Sequence, residues 1–180
     1  MSPPTSSSAA VSSLHKRASS ANAFSYGAST LSTANLFSAI QPGGSLFGLA
    51  DSNPVNPEIA YQGNAAALGT SNDPIIGRRI GGVNTFGGGL ALYQNGRKIA
   101  GIGVSGDTSC TDHVVAYKVR RLLALDRVPG TLDKMIQDIT PNPAGGVGIS
   151  KGGFGHPECA NNPTPEASGG NDGGSIVYGK

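Results

Sequence analysis

Asn95-Gly96 lies between two runs that carry apolar residues, Leu90 to Tyr93 and Arg97 to Val104, and it restricts the fold more than any other dipeptide in the chain. A two-residue type I′ turn needs positive φ at both central positions, and Asn-Gly is the pair that adopts it at least cost. A β-hairpin is therefore expected here. Leu90, Leu92 and Gln94 alternate with Ala91 and Tyr93, and on the return strand Ile99, Gly101 and Gly103 alternate with Ala100, Ile102 and Val104. One face of the hairpin is nearly bare of side chains, so a helix or a flat ligand can lie close against it. Ser105-Gly106-Asp107 then turns the chain, and Thr108 is a good N-cap for a helix over Ser109 to Leu125. Val115, Val119, Leu122 and Leu123 are its expected buried stripe. Lys118, Arg120 and Arg121 stand near its C-terminal end, where cations suit the helix dipole. Pro129-Gly130 closes the unit, which runs from Gly81 to Leu125.

The rest of the chain is organised around this unit. Met1 to Ala21 is mostly Ser, Ala, Thr and Pro with no apolar period, and reads as a disordered arm over 1–21. Residues 22–138 read as one α+β domain. Within it Ser32 caps a helix over Thr33 to Ile40, with Leu36, Phe37 and Ile40 on one face, and Gln41-Pro42-Gly43-Gly44 stops it. Glu58 to Leu68 can hold a short helix, and Asn72-Asp73-Pro74 makes a turn. Residues 139–180 are rich in Gly, Asn and Pro and read as a C-terminal extension of loop with one short strand, Ser175 to Tyr178. The 28 glycines of the 180-residue chain gather at turns and strand ends, which points to backbone that must approach something closely.

Charge and hydropathy exclude some functions. The 13 basic and 11 acidic residues give a net charge of +2. Arg78-Arg79 and Arg120-Arg121 are isolated pairs that read as solvated surface, so neither the basic stripe nor the stacking aromatics of a nucleic-acid binder are present. No run has the length of a membrane span, and Met1 to Arg17 does not read as a secretory signal.

Several residue groups could carry chemistry. Gly101, Gly103 and Gly106 fit the G-x-G-x-x-G dinucleotide pattern, with Asp126 placed 20 residues beyond. The strand concerned is the second arm of a hairpin, however, whereas a dinucleotide fold needs a parallel strand entered by a crossover. Close sheet–helix packing explains the glycines better. Of the three histidines, His15 falls in the arm, His113 in the first turn of the main helix, and His156 in the loop 152–157. A spatial pair of histidines could bind a metal or haem iron, although no metal-ligand spacing is present. Cys110 lies at a helix N-terminus and Cys159 in a loop. Their even count suits a disulfide, worth on the order of 4 kcal/mol in the chain-entropy model and implying an oxidising compartment, periplasmic or secreted. Free structural thiols are the next reading, and a catalytic cysteine the third.

Three blocks in order are familiar: 41–49 (Gln-Pro-Gly-Gly-Ser-Leu-Phe-Gly-Leu), 86–90 (Phe-Gly-Gly-Gly-Leu) and 102–108 (Ile-Gly-Val-Ser-Gly-Asp-Thr). Together they resemble the GlcG/HbpS-like haem-binding family over roughly residues 18–125, and 155–159 (Gly-His-Pro-Glu-Cys) looks like the extension of one subgroup. The resemblance implies a small antiparallel sheet flanked by helices, assembly as a homo-oligomer, and haem or a related tetrapyrrole as ligand. The family opens with a helix and two strands before the matched region, and Met1 to Arg17 is not expected to supply them, so the fold is expected to be incomplete at the N-terminus.

With haem as the ligand, it is expected to lie against the bare hairpin face and the start of the main helix, and Phe86, Gly88, Asp107, Thr108, His113 and His156 are the candidate binding residues. His113 is the candidate iron ligand, and propionates suit the helix N–H groups and nearby arginines. No catalytic constellation stands out. One alternative is an enzyme acting on a small carboxylate or tetrapyrrole, with Asp107, Asp112 and His113 as acid/base groups. Another is a structural or assembly module.

Overall fold

The computed structural model describes residues 6–27, 29–128, 133–140 and 146–159. The strand expected at Ser175 to Tyr178 and the stop at Pro129-Gly130 lie outside the described residues.

The hairpin forms as its turn requires. β1 (Gly89–Gln94) pairs antiparallel with β2 (Arg97–Gly103), opposing Gly89 to Gly103, Leu90 to Ile102 and Ala91 to Gly101, with a register shift between Leu92 and Tyr93. Asn95 and Gly96 both take positive φ, 51° and 73°. On one face of the hairpin Leu90 and Ile102 pack with Val104 against Ala116 and Tyr117. Those two residues belong to α5 (Ser109–Leu122). Beyond this helix the chain turns at Ala124, whose φ is 54°, and Asp126 bridges in parallel to Tyr93 on the free side of β1. The fold is thus α+β, a small antiparallel sheet with helices about it.

The other face of the hairpin overturns an expectation. The segment expected to be a disordered arm is α1 (Ser6–Ala23), and it covers the bare face. A Cβ on Gly101 would collide with the Ala18 carbonyl oxygen, and one on Gly103 with that of Leu14. Helix backbone meets strand backbone here because neither side interposes a side chain. Among the described side chains of α1, Ser12, Arg17, Ser20 and Ala21 are buried. Small residues permit the close approach, and their hydroxyls serve neighbouring loops: Ser20 Oγ accepts from Asn84 N at 3.0 Å. The Lys98 ammonium donates to the carbonyls of Asn22 and Ser25, where a cation complements the C-terminal end of α1. Residues 6–17, not expected to supply a helix, thus lie within one.

Two further expectations change. The helix expected over Thr33 to Ile40 is a 3-10 turn at Thr33–Asn35 running into the short α2 (Leu36–Ala39), and Ser32 makes no side-chain cap. α5 ends at Leu122 rather than Leu125, and its buried face is not the expected stripe. Val115, Leu122 and Leu123 are exposed, Leu122 to 85%, whereas Asp112, His113, Val114, Ala116, Tyr117 and Arg120 are buried. Arg120, read as solvated, is fully buried. It donates to the Asp133 carboxylate and to Ala91 O, and lies over the Tyr117 ring. Burial pushes the Asp133 carboxyl above its ordinary range, against the pull of the Arg120 guanidinium.

Two short helices, α3 (Leu49–Ser52) and α4 (Pro57–Ala60), occupy the segment before the hairpin, and Ala60 packs with Ile75 and Ile80 against Val11 of α1. The described part of the extension is docked on the body. β3 (Ile139–Thr140) pairs antiparallel with β4 (Ile149–Ser150). Buried Asn35 donates to Lys134 O and accepts from Ile136 N, Ile136 O accepts from His156 N, and Gly155 O accepts from Ser38 N.

The α1–hairpin contact predicts that Gly103→Ala lowers stability by about 1–3 kcal/mol, the range for overpacking. Gly152→Ala, where nothing lies within 4 Å of the new Cβ, leaves stability within about 0.5 kcal/mol. Urea denaturation of both variants checks this. Equal midpoints would place α1 elsewhere.

Candidate functional site

The start of α5 is where the hairpin, the glycine loop, α1 and the C-terminal segment meet. Thr108 caps the helix, its hydroxyl accepting from Thr111 N at 3.2 Å. Asp107 is exposed, and its carboxylate accepts from Thr108 N. Asp112, one turn into the helix, accepts from Asp107 N at 3.1 Å and pairs with the Arg17 guanidinium of α1. Arg17 Nη1 also donates to Val104 O at the end of the hairpin. One buried ion pair therefore ties α1, the exit of β2 and the start of α5 together.

The glycine loop is clamped against this knot. Gly87 N donates to Ser109 Oγ at 2.6 Å, and Thr33 Oγ1 donates to Phe86 O while accepting from Gly89 N. A Cβ on Gly87 would stand 2.9 Å from His113 Cβ, and one on Gly88 would stand 3.0 Å from Asp112 Cβ. The bare Cα of Gly88 is thus used by the protein itself and is buried. Phe86, next to it, is half exposed.

The two histidines named from the sequence lie beneath this surface. His113 is fully buried. His156 is also buried, its ring 5.6 Å from that of Phe37. Its Nδ1 lies 2.8 Å from Pro157 O and its Nε2 lies 2.8 Å from Ser109 Oγ. A carbonyl only accepts, so Nδ1 carries the proton and Nε2 accepts from the serine hydroxyl. Burial holds the imidazole below the ordinary value of 6.5, with the Pro157 carbonyl opposing it. A relay results, from Gly87 N–H through the Ser109 hydroxyl and the neutral ring to the Pro157 carbonyl. Ser109 had no signal in the sequence, because its partner comes from a loop 47 residues away.

Cys110 and Cys159 are disulfide-bonded, as their even count suggests, with Cα atoms 6.2 Å apart. The bridge ties Cys159 and the segment around it to the start of α5. Met135 Sδ lies 3.6 Å and Gln137 Nε2 2.8 Å from Cys159 Sγ. Cys110, His156 and Cys159 each present a ligand atom within 4.8 Å of the others.

The sequence-named residues therefore divide into a rim and an interior. Phe86, Asp107 and Thr108 are exposed, while Gly88, His113 and His156 are buried. The bare hairpin face, named as the ligand's seat, is filled by α1. Asp107, Asp112 and His113 do not share an open pocket: the first is exposed, the other two are buried, and Asp112 is committed to Arg17. Two arginines, Arg17 and Arg120, are held in buried ion pairs rather than presented to an anion.

A family model described as "Haem degrading protein HbpS-like" matches residues 5–120, which is more than half of the chain. No curated protein and no solved structure matches it.

The buried His156 predicts a pH dependence. The folded chain binds fewer protons at this site than the unfolded chain, so the contribution is complete above about pH 6.5 and is lost as pH falls toward the lowered value. In His156→Asn the loss of thermal stability between about pH 7 and pH 5 should be shallower than in the parent chain. Identical slopes by calorimetry would remove His156 as its source.

Proposed function

The chain belongs to the HbpS-like family, and from that membership we propose that it binds haem or a related tetrapyrrole at the rim of the α5 start. The family match over residues 5–120 is the observation that carries this reading. The site's geometry adds to it. Phe86 offers an exposed aromatic face beside a helix N-terminus, whose first N–H groups lack partners within the helix and attract carboxylates. A porphyrin has a broad apolar face that suits Phe86 and two propionates that suit the positive end of α5 at Thr108, the Asp107 carboxylate being taken up by Thr108 N. Gly88 holds the loop against α5 from below. His113 and His156 are the imidazoles nearest in sequence to this rim. Their burial means that either reaches iron only when the Phe86–Gly88 loop or the Pro157 segment opens. Affinity on this reading rests on the rim, and the imidazoles set the spectrum.

Turnover of the bound haem, named in the family's description, is the second reading. The first alternative of an acid/base enzyme built on Asp107, Asp112 and His113 is less favoured, because Asp112 serves the ion pair to Arg17. The Cys110–Cys159 bridge supports residence in an oxidising compartment.

Assembly into a homo-oligomer belongs to the same proposal. Val115 and Leu122 stand two turns apart on the outer side of α5, and Leu123 adjoins them, all exposed. Leu122→Glu should lower the mass seen by light scattering toward that of one chain. An unchanged mass with an intact circular-dichroism spectrum would place any interface elsewhere.

Titration with haemin tests the ligand. A Soret shift saturating at micromolar haemin is expected, and Phe86→Ala should weaken the affinity roughly 3–10-fold, the worth of one aromatic contact. If no Soret shift appears at micromolar haemin, the proposal fails. A shift unaffected by Phe86→Ala would move the site away from the rim.

A further inference from the structure

We propose that Cys110, Cys159 and His156 form a site for a soft monovalent metal ion, Cu(I), which the disulfide closes and a dithiol reductant opens. The inference stands on the tail side of the α5 start and does not depend on the haem reading.

The donors are already assembled. One ligand atom from each of the three residues lies within 4.8 Å of the others. Donors sharing one metal at bond lengths of about 2.0–2.3 Å stand roughly 3.5–4.5 Å apart, so the needed rearrangement is small. When the S–S bond is cleaved the two sulfurs move to non-bonded distance, which opens the space between them. Met135 adds a thioether 3.6 Å from Cys159 Sγ, so a second soft sulfur borders the site. Two thiolates, an imidazole and a thioether favour Cu(I) over hard divalent ions such as Mg²⁺ or Ca²⁺, and no carboxylate is among the donors.

The surroundings suit this chemistry. Cys110 is the second residue of α5, where the positive end of the helix favours a thiolate. Gln137 Nε2, 2.8 Å from Cys159 Sγ, is a donor placed to stabilise the second. The Pro157 carbonyl accepts from His156 Nδ1, which orients the ring and leaves the Nε2 lone pair for a metal. Nε2 then exchanges the Ser109 hydroxyl for the metal. Cys159 and His156 are buried and Cys110 is only part-exposed, so the site excludes much of the water that would hydrate the ion. The docking of residues 133–140 and 146–159 also rests on Asn35 and on the Ser38 N to Gly155 O bond from α2, neither of which involves the disulfide.

The reaction balances simply. An external dithiol gives two electrons and two protons to the Cys110–Cys159 bond, leaving two thiols here and a disulfide on the reductant. Binding of Cu(I) then releases both thiol protons, and copper does not change its oxidation state.

The test is a competition titration with Cu(I) and the chromogenic chelator bicinchoninate, under argon, on the full chain before and after treatment with dithiothreitol and its removal. Reduced protein should take up one Cu(I) per chain and hold it at least about tenfold more tightly than oxidised protein. His156→Ala, which keeps both cysteines, should weaken the reduced-state affinity by about tenfold or more. Sulfur K-edge or ultraviolet charge-transfer bands should report thiolate ligation. Equal copper uptake by the oxidised and reduced chains would overturn the proposal, and so would full affinity in His156→Ala. Loss of the native circular-dichroism spectrum on reduction would overturn it too, because the site requires the docked tail.

Discussion

The ion pair between Arg17 and Asp112 is the interaction on which the rest of this structure depends. It is buried on both sides, with 7% and 3% of the two side chains exposed. Its members come from α1 and α5, the long helices among the described residues, and Arg17 also holds the carbonyl that ends the hairpin. A buried pair of this kind is weak evidence of net stability, since removing two charges from water is costly. Its role on this account is specificity: the register in which α1 docks on the hairpin is the one that brings the guanidinium to the carboxylate. The alternative registers leave a charge buried without a partner, which costs several kcal/mol.

The pair also explains why the glycines are where they are. Once α1 is in register, the carbonyls of Leu14 and Ala18 face Gly103 and Gly101 directly, and no Cβ fits between. Once Asp112 faces Arg17, its own turn of α5 presses on the glycine loop, and Gly87 and Gly88 take the contact. The loop is thereby held so that Phe86 is turned outward beside the helix start, while His113 is turned inward. The rim to which we assign a tetrapyrrole is a product of this packing rather than of any local motif. The disulfide and Asn35 do the same for the other side of the α5 start, bringing His156 to Ser109.

The hairpin, its turn and the cap of α5 were legible in the sequence because each is decided locally. Asn95 and Gly96 supply positive φ, and Thr108 supplies the cap whatever surrounds it. The disulfide was legible from the count of cysteines. The family resemblance was legible from three ordered blocks, and the match extends it back to residue 5. α1 was not legible, since the described positions it buries, Ser12, Arg17, Ser20 and Ala21, give no apolar period. Its partner is strand backbone, and a stripe of small residues carries the contact. The buried face of α5 was misread for a related reason. Apolar Val115, Leu122 and Leu123 suggested one face, but Asp112 and Arg120 fix the opposite one through partners at Arg17 and Asp133, which no helical period reveals. The same distance in sequence hid the Ser109–His156 contact.

A double-mutant cycle at Arg17 and Asp112, read by urea denaturation, tests the central claim most directly. With Arg17→Met, Asp112→Leu and the double variant, each single change leaves one buried charge unpaired and should cost about 3–5 kcal/mol. The double variant should cost markedly less than the sum, with a coupling of about 2–3 kcal/mol. Additive losses, with coupling below about 0.5 kcal/mol, would contradict the account by showing that α1 is registered on the hairpin without this pair.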